Sequence, residues 1–291
     1  MSNPDLRAVL SAGDFIVAPG VFEMFSAKIA DRMGFKALYM TGYGISGSHL
    51  GVADAGLATY RDMVERARTI AAGTNTPLIA DADTGFGGLL NVRETVRGYE
   101  AAGVQAIQIE DQEMPKKCGH TPNRRVVPLE DAVKRVEVAV EARRSDDFLV
   151  VARTDARTGL GLDEAIRRAR AFARAGADIL FVEAPESEQE FERIGAELAG
   201  EAKLLANMVP TGRSPMLPAA TLARCGFSIA IYPSAGMGAA CAALEAAYGW
   251  LLKNGSLEGS PVPAFDMARL HELVGFADVW EFERRHVEAR E

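Results

Sequence analysis

Carboxylates crowd a few short stretches of this chain. Asp81 and Asp83 stand in "ADADTGFG", Glu110 and Asp111 in "IEDQ", and Asp54 in "GVADAG". Residues two apart on an extended segment face the same side, so Asp81 and Asp83 can act together. Hard carboxylate oxygens gathered at one mouth suit Mg2+ or Mn2+, with water and substrate filling the other positions. Singly, each acid could cap a helix or pair with an arginine. Gathered without partners they repel one another, and a cation relieves that cost. Arg153, in "ARTD", can hold a carboxylate through paired N–H donors, or it can bridge Glu183 of "VEAP". Asn207, in "LANM", is a substrate donor or a turn former. The string "PKKCGH" sets Lys116 and Lys117 beside Cys118, Gly119 and His120. A zinc site would need more soft ligands than Cys118 and His120. Neighbouring cations lower a thiol's pKa, so Cys118 reads as a reactive group that gives or takes a proton. Gly119 lets the chain bend sharply there.

These residues need a frame. Four places read alike: "MGFKALYM", "AGVQAIQIE", "AGADILFVE" and "CGFSIAIY". Each sets a Gly in second place, after Met, Ala or Cys, ahead of a short apolar run. Each follows a stretch of helical periodicity, such as "LDEAIRRARAFARAGAD", where Leu162, Ala165, Ile166, Ala169 and Phe172 share a face. Adding "DFIVAPG", "TPLIADAD", "DFLVVARTD" and "AKLLANM" brings the strands to eight. Continuous apolar runs are how strands buried on both faces read. Eight of them alternating with helices predict a (β/α)8 barrel. A doubly wound sheet is the alternative, but the first βα turn, "APGVFEM", lacks a G-x-G-x-x-G loop. In a barrel, all the polar strand ends share one mouth, and "PKKCGH" lies on a loop over it. An eighth helix at about 236–253 is followed by a hinge, "NGSLEGSPVP", and two further helices from about 264 to 290. The expected division is a barrel over 1–255 and a helical extension over 256–291.

The chain has 291 residues, 48% of them hydrophobic, and a net charge of -8. No basic patch stands out, which argues against a nucleic-acid partner. Three cysteines, Cys118, Cys225 and Cys241, make a poor disulfide framework and suggest a cytoplasmic setting. The N-terminal stretch lacks an apolar core of signal-peptide length, and no run approaches a membrane span.

"DADTGFG", "IEDQ", "PKKCGH", "ARTDA", "FVEAP" and "LANM", in this order, resemble the isocitrate lyase and phosphoenolpyruvate mutase superfamily. The resemblance runs over about residues 8–255. It implies a Mg2+-dependent barrel, commonly a homotetramer whose C-terminal helices swap between subunits. It implies that Asp81 and Asp83 serve the metal, with Glu110 and Asp54 behind them. Thr41, Gly42, Arg153 and Asn207 would hold the substrate's 2-oxo or 2-hydroxy carboxylate, with Tyr43, Lys117, Gly119 and His120 on the substrate side. Cys118 would be a general acid on a gating loop, Glu183 would contact loop or substrate, and Tyr39, near the substrate hydroxyl, is the candidate base. There are departures. Tyr43 follows Thr41-Gly42 where methylisocitrate lyases have a second Gly. Pro210 stands where lyases carry a Glu. Gly238 and Leu270 align with two arginines of methylisocitrate lyase, so a third carboxylate would lack partners. The implied activity is cleavage of a 2-hydroxydicarboxylate of the 2,3-dimethylmalate or alkylmalate type. Carboxyphosphonoenolpyruvate phosphonomutase, oxaloacetate hydrolase and 2-methylisocitrate lyase activities are alternatives, and a non-catalytic binding role is a further one.

Overall fold

Every apolar run singled out above is a strand in the computed structural model, which describes residues 5–287. The strands are β1 (Ile16–Val21), β2 (Leu38–Met40), β3 (Leu78–Asp81), β4 (Ala106–Glu110), β5 (Leu149–Thr154), β6 (Ile179–Val182), β7 (Lys203–Asn207) and β8 (Ile229–Tyr232). Each pairs in parallel with the next, and β8 pairs with β1, so the sheet is a closed eight-stranded barrel. The helices are α1 (Leu6–Ser11), α2 (Met24–Arg32), α3 (Gly42–Ile45), which runs into a π-helical turn at Ser46–Leu50, α4 (Tyr60–Gly73), α5 (Leu89–Ala101) and α6 (Leu129–Ala142). After β5 come α7 (Ala156–Leu160), α8 (Leu162–Arg174), α9 (Glu188–Leu198), α10 (Ala219–Arg224), α11 (Ala235–Asn254), α12 (Met267–Val274) and α13 (Phe276–His286).

The strands read as continuous apolar runs because each serves two cores. Ile16, Ile79, Ala106, Val151, Phe181 and Leu205 point inward and fill the barrel. Their neighbours Leu78, Ala80, Ile107 and Val150 belong to the layer that also buries Val64, Ile70 and Val96 of the surrounding helices. The recurring Gly is the helix stop: Gly103 and Gly176 have φ of 88° and 96°, a region costly for a side chain. On α8, Ala165, Ile166, Ala169 and Phe172 are buried. Arg168 is buried with them, an outcome its charge does not suggest. Its guanidinium meets Asp111 at 3.1 Å and Glu164 at 2.8 Å.

The chain divides into two compact units, Met1–Met237 and Gly238–Glu291. The first holds the barrel. In the second, α12 starts on an Asp266 cap that accepts from Arg269 N–H, and it ends at Gly275 with φ 90°. The rings of His271, Phe276 and Trp280 stack in sequence across that turn. Helix α11 buries none of its residues. Leu252 on it is 90% exposed, with Tyr248 at 64%. Among the described residues, no helix is long and apolar enough to cross a membrane.

Candidate active site

Strand parity builds the site. Side chains alternate along a strand, so the residue two past an inward apolar one also faces inward, nearer the mouth. Ile79 is followed in this way by Asp81, Val151 by Arg153, Phe181 by Glu183 and Leu205 by Asn207. Ala106 leads to Gln108 and then Glu110. Asp81, Arg153, Glu183 and Asn207 end on one cavity of about 320 Å3, which Tyr39, Thr41, Tyr43 and Asp54 also line, while Gln108 and Glu110 are buried and outside its wall. Cys118, Gly119 and His120 line it from above, and Val209, Pro210, Ile231, Pro233 and Met237 make an apolar side.

The acids are buried and short of positive partners. Asp54, Asp81, Asp83, Glu110, Asp155 and Glu183 are six carboxylates, and Lys116, Arg124 and Arg153 are the three cations paired with members of the group. Gly42 N–H donates to Asp81 Oδ2 at 3.3 Å, and a Cβ on Gly42 would sit 2.5 Å from that oxygen. Gln108 links Tyr39 to Asp81, accepting from the phenol at 3.0 Å and donating onward at 3.3 Å. Glu110 Oε1 is buried without a hydrogen bond. Asp83 Oδ1 lies 2.6 Å from Lys116 Nζ and forms an ion pair with it. Burial pushes the carboxyls of Asp81 and Glu110 up, and raises Asp83 to about 7. Among the described residues, no three side chains already converge as a metal-binding group. The donor chemistry nonetheless fits a hard divalent cation. The oxygens belong to carboxylates, one on Glu110 lacks a hydrogen bond, and the acids outnumber the cations paired with them.

Arg153 is both held and available. Asp155 grips it through Nε at 2.8 Å and Nη2 at 2.9 Å, while Glu110 and Glu183 stand 3.4 and 3.5 Å away. The guanidinium still lines the cavity. Asn207 donates to Glu183 at 3.1 Å, and its Oδ1 is buried without a partner, as is His120 Nδ1. Both groups are therefore available to a ligand in the cavity.

Three expectations change. Lys117 is exposed and lines a separate cavity, its backbone pinned by Gln112 at 2.8 and 3.0 Å, so it does not reach this site. Lys116 does not activate the thiol, because its ammonium is turned into Asp54 and Asp83. Burial instead pushes the Cys118 thiol up, and Cys241, not Cys118, is the exposed cysteine. Tyr39 is unsuited to be a base, since burial and then Asp81 hold its phenol well above the ordinary value. Sequence reading missed Asp155, although its two-residue spacing from Arg153 on an extended segment is the same signal that paired Asp81 with Asp83.

Gly119 shows how tightly the loop is seated. A Cβ there would lie 2.5 Å from Arg153 Nη2 and 2.9 Å from Glu183 Cδ, and Asp155 holds Arg153 against yielding. Gly119→Ala should therefore lower turnover by roughly ten- to a hundredfold through misplacement of Cys118. A thermal melt should fall as well, since the clash is with two buried side chains. Steady-state kinetics beside a melt will check both.

The chain matches the family model described as phosphoenolpyruvate phosphomutase over residues 6–252. It is 45% identical to 2,3-dimethylmalate lyase of Eubacterium barkeri, over 98% of each chain. To 2-methylisocitrate lyase of Aeropyrum pernix it is 40% identical over 97% of this chain and 89% of that one. Among solved structures, oxaloacetate acetylhydrolase with 3,3-difluorooxalacetate superposes with a TM-score of 0.92 at 36% identity, covering 97% of this chain and 96% of that one. Sequence, barrel and site motifs agree: the chain belongs to the PEP mutase/isocitrate lyase superfamily.

Proposed function

We propose that this protein is a divalent-cation-dependent carbon–carbon lyase that cleaves a 2-hydroxydicarboxylate of the 2,3-dimethylmalate type to an oxoacid and a carboxylate. The observation that carries this reading is the meeting of a cation-deficient acid cluster, Arg153 and a protonated Cys118 thiol on one cavity. Asp81, Asp83, Glu110 and Asp54 would hold Mg2+ or Mn2+. Bound there, the cation would stabilise the negative charge that develops on the substrate's oxygens during cleavage. Arg153 binds that carboxylate, and Asn207 and Thr41 orient it. As the carbon–carbon bond breaks, the hydroxyl oxygen becomes the new carbonyl and the electron pair passes to the departing carbon. The Cys118 proton goes to that carbon. A thiol raised by burial suits this task, because it holds its proton at neutral pH. The hydroxyl proton needs an acceptor other than Tyr39.

Cys118→Ser should cut turnover by roughly a hundredfold or more, the usual cost of a lost general acid. Steady-state rates of the variant at saturating substrate will measure it, and an unchanged rate would remove the thiol from the mechanism. The reaction itself is tested by a panel of malate derivatives with Mg2+, with released oxoacid read through a coupled dehydrogenase. The likeness to oxaloacetate acetylhydrolase favours a second reading, hydrolysis of oxaloacetate, so that compound belongs in the panel. The apolar surface that α11 leaves exposed supports helix exchange within a cytoplasmic homotetramer, a state light scattering reads directly.

A further inference from the structure

The seam between β4 and β5 departs from a regular ladder at its last rung. In a parallel pair the bonds recur every two residues. Leu149 N–H donates to the Gln105 carbonyl at 2.9 Å, so by register Asp155 N–H is due at the Asp111 carbonyl. That carbonyl accepts instead from Val127 N–H, at 2.9 Å. Asp155 N–H goes to the Asp111 side chain, with Oδ1 at 2.9 Å. The other carboxylate oxygen accepts from the Thr154 hydroxyl at 2.7 Å and from Arg168 Nη1 of α8 at 3.1 Å. Arg168 Nη1 also donates to the Val127 carbonyl at 2.9 Å, so Asp111, Val127 and Arg168 close a ring. Asp111, Thr154, Asp155 and Arg168 are all buried.

We propose that Asp111, held by Arg168, is a positioning residue for substrate binding: its carboxylate supplies the last rung of the β4–β5 seam, and the turn this imposes on Asp155 aims Arg153 at the substrate's carboxylate. This rests on the reading of Arg153 given above and deepens it. Off the ladder, Asp155 adopts φ −97° and ψ 11°, the bridge region outside strand geometry. Its carboxylate there grips Nε and Nη2 of Arg153 and leaves Nη1 outside the grip. The grip matters because Glu110 at 3.4 Å and Glu183 at 3.5 Å compete for the same guanidinium. The guanidinium is a rigid fork, so a turn toward either acid would present a different edge to the cavity. Asp155 is fixed from two sides, through its N–H by Asp111 and through its carboxylate by Arg124 Nη1 at 2.6 Å. Asp111 itself does not line the cavity and acts through Asp155 and Arg153. A buried ion pair is a weak source of stability compared with apolar packing. What the Asp111 carboxylate offers here is two accepting oxygens, one for each neighbour of the seam.

Asp111→Asn is the test, because an amide keeps the shape but has one accepting oxygen where two are needed. The readout is the affinity of the full-length protein, in Mg2+, for pyruvate, followed by relaxation of the pyruvate methyl proton signal. Arg153→Lys is the reference. Each single substitution should weaken pyruvate binding by about tenfold or more, the scale of a lost hydrogen bond to a charged group. The double variant should bind no more weakly than Arg153→Lys alone, because both changes act on one guanidinium. In turnover, the loss in Asp111→Asn should fall on KM with kcat little changed. Losses that add in the double variant would make Asp111 a general support of the barrel and overturn the proposal, as would wild-type affinity in Asp111→Asn. If Arg153→Lys binds pyruvate as the wild type does, or the wild type binds none, the reading of Arg153 falls and this proposal with it. Should Asp111→Asn not fold, Arg168→Lys carries the same cycle with the same expected outcome. It keeps the charge and loses the fork that holds Asp111 and Val127 together.

Discussion

EDTA should abolish turnover, and Mg2+ or Mn2+ should restore it. The force of this expectation lies in the charges. Six carboxylates meet three cations in and around one cavity, and a Glu110 oxygen is buried with no hydrogen bond. Without a divalent ion, burial raises the carboxyls of Asp81 and Glu110 and brings Asp83 to about 7, so the charged form of the cluster is costly. Neither Arg153, already shared by three carboxylates, nor Lys116 can supply the charge stabilisation that carbon–carbon cleavage demands. Asp83→Asn is the matched variant. Its backbone sits at φ 49°, a region that Asn tolerates and Ala does not. It should fold, bind Mn2+ poorly and turn over too slowly to measure at ordinary Mg2+. Full activity after chelation, with metal content verified by elemental analysis, would sink the assignment.

Discrimination against tricarboxylates should be on the order of a thousandfold in kcat/KM, since about 4 kcal/mol corresponds to that factor. Gly238 and Leu270 have no charge to offer. The structure sharpens the point, because three cations that could have met a second carboxylate are elsewhere. Lys116 is paired with acids, Lys117 lines another cavity, and Arg213 is exposed and outside the cavity wall. Among the described residues lining the cavity, Arg153 is the one guanidinium, and there is no lysine. Burial holds the His120 imidazole below its usual pKa, hence neutral. A second carboxylate would meet Thr211, Ser234 and backbone donors, and a third would be buried unpaired at a cost of several kcal/mol. Alkyl substituents, by contrast, have Val209, Pro210, Ile231 and Met237 to pack on. Comparing 2-methylisocitrate with 2,3-dimethylmalate and simpler alkylmalates by steady-state kinetics will decide. Efficient cleavage of 2-methylisocitrate would refute it, and the 40% identity to a 2-methylisocitrate lyase makes that a demanding comparison.

The barrel was legible because strands buried on both sides cannot hide: their apolar runs are nearly continuous, and those of β3 to β7 end in polar residues that have no business in a core. Asp81, Arg153, Glu183 and Asn207 are legible for the same reason, each lying two residues beyond an inward apolar side chain. What failed was inference from adjacency along irregular chain. Lys116, Lys117 and Cys118 are neighbours in sequence, yet one lies in the acid cluster, one is exposed, and one faces the cavity. On a strand their directions would follow from alternation; on a loop they depend on partners such as Asp54, 62 residues from Lys116. Gln108 escaped notice because a polar residue between Ile107 and Ile109 carries no motif, although it joins Tyr39 to Asp81. Arg168 looked like the solvent side of α8, and its partner Asp111 is 57 residues away.

The left-handed backbone at Asp83 has a consequence for how this enzyme could be improved or ruined. An aspartate at φ 49° carries conformational strain of about 1 kcal/mol that a glycine would not. The same residue is a buried carboxylate with a raised pKa, a second burden on the fold. Both burdens vanish with Asp83→Gly, and with them goes an oxygen donor at the heart of the site. A laboratory selection that rewarded heat resistance alone would therefore drift toward sturdier, inert barrels by changing this position. Thermostabilising libraries should hold Asp83 constant and look for gains far from the mouth.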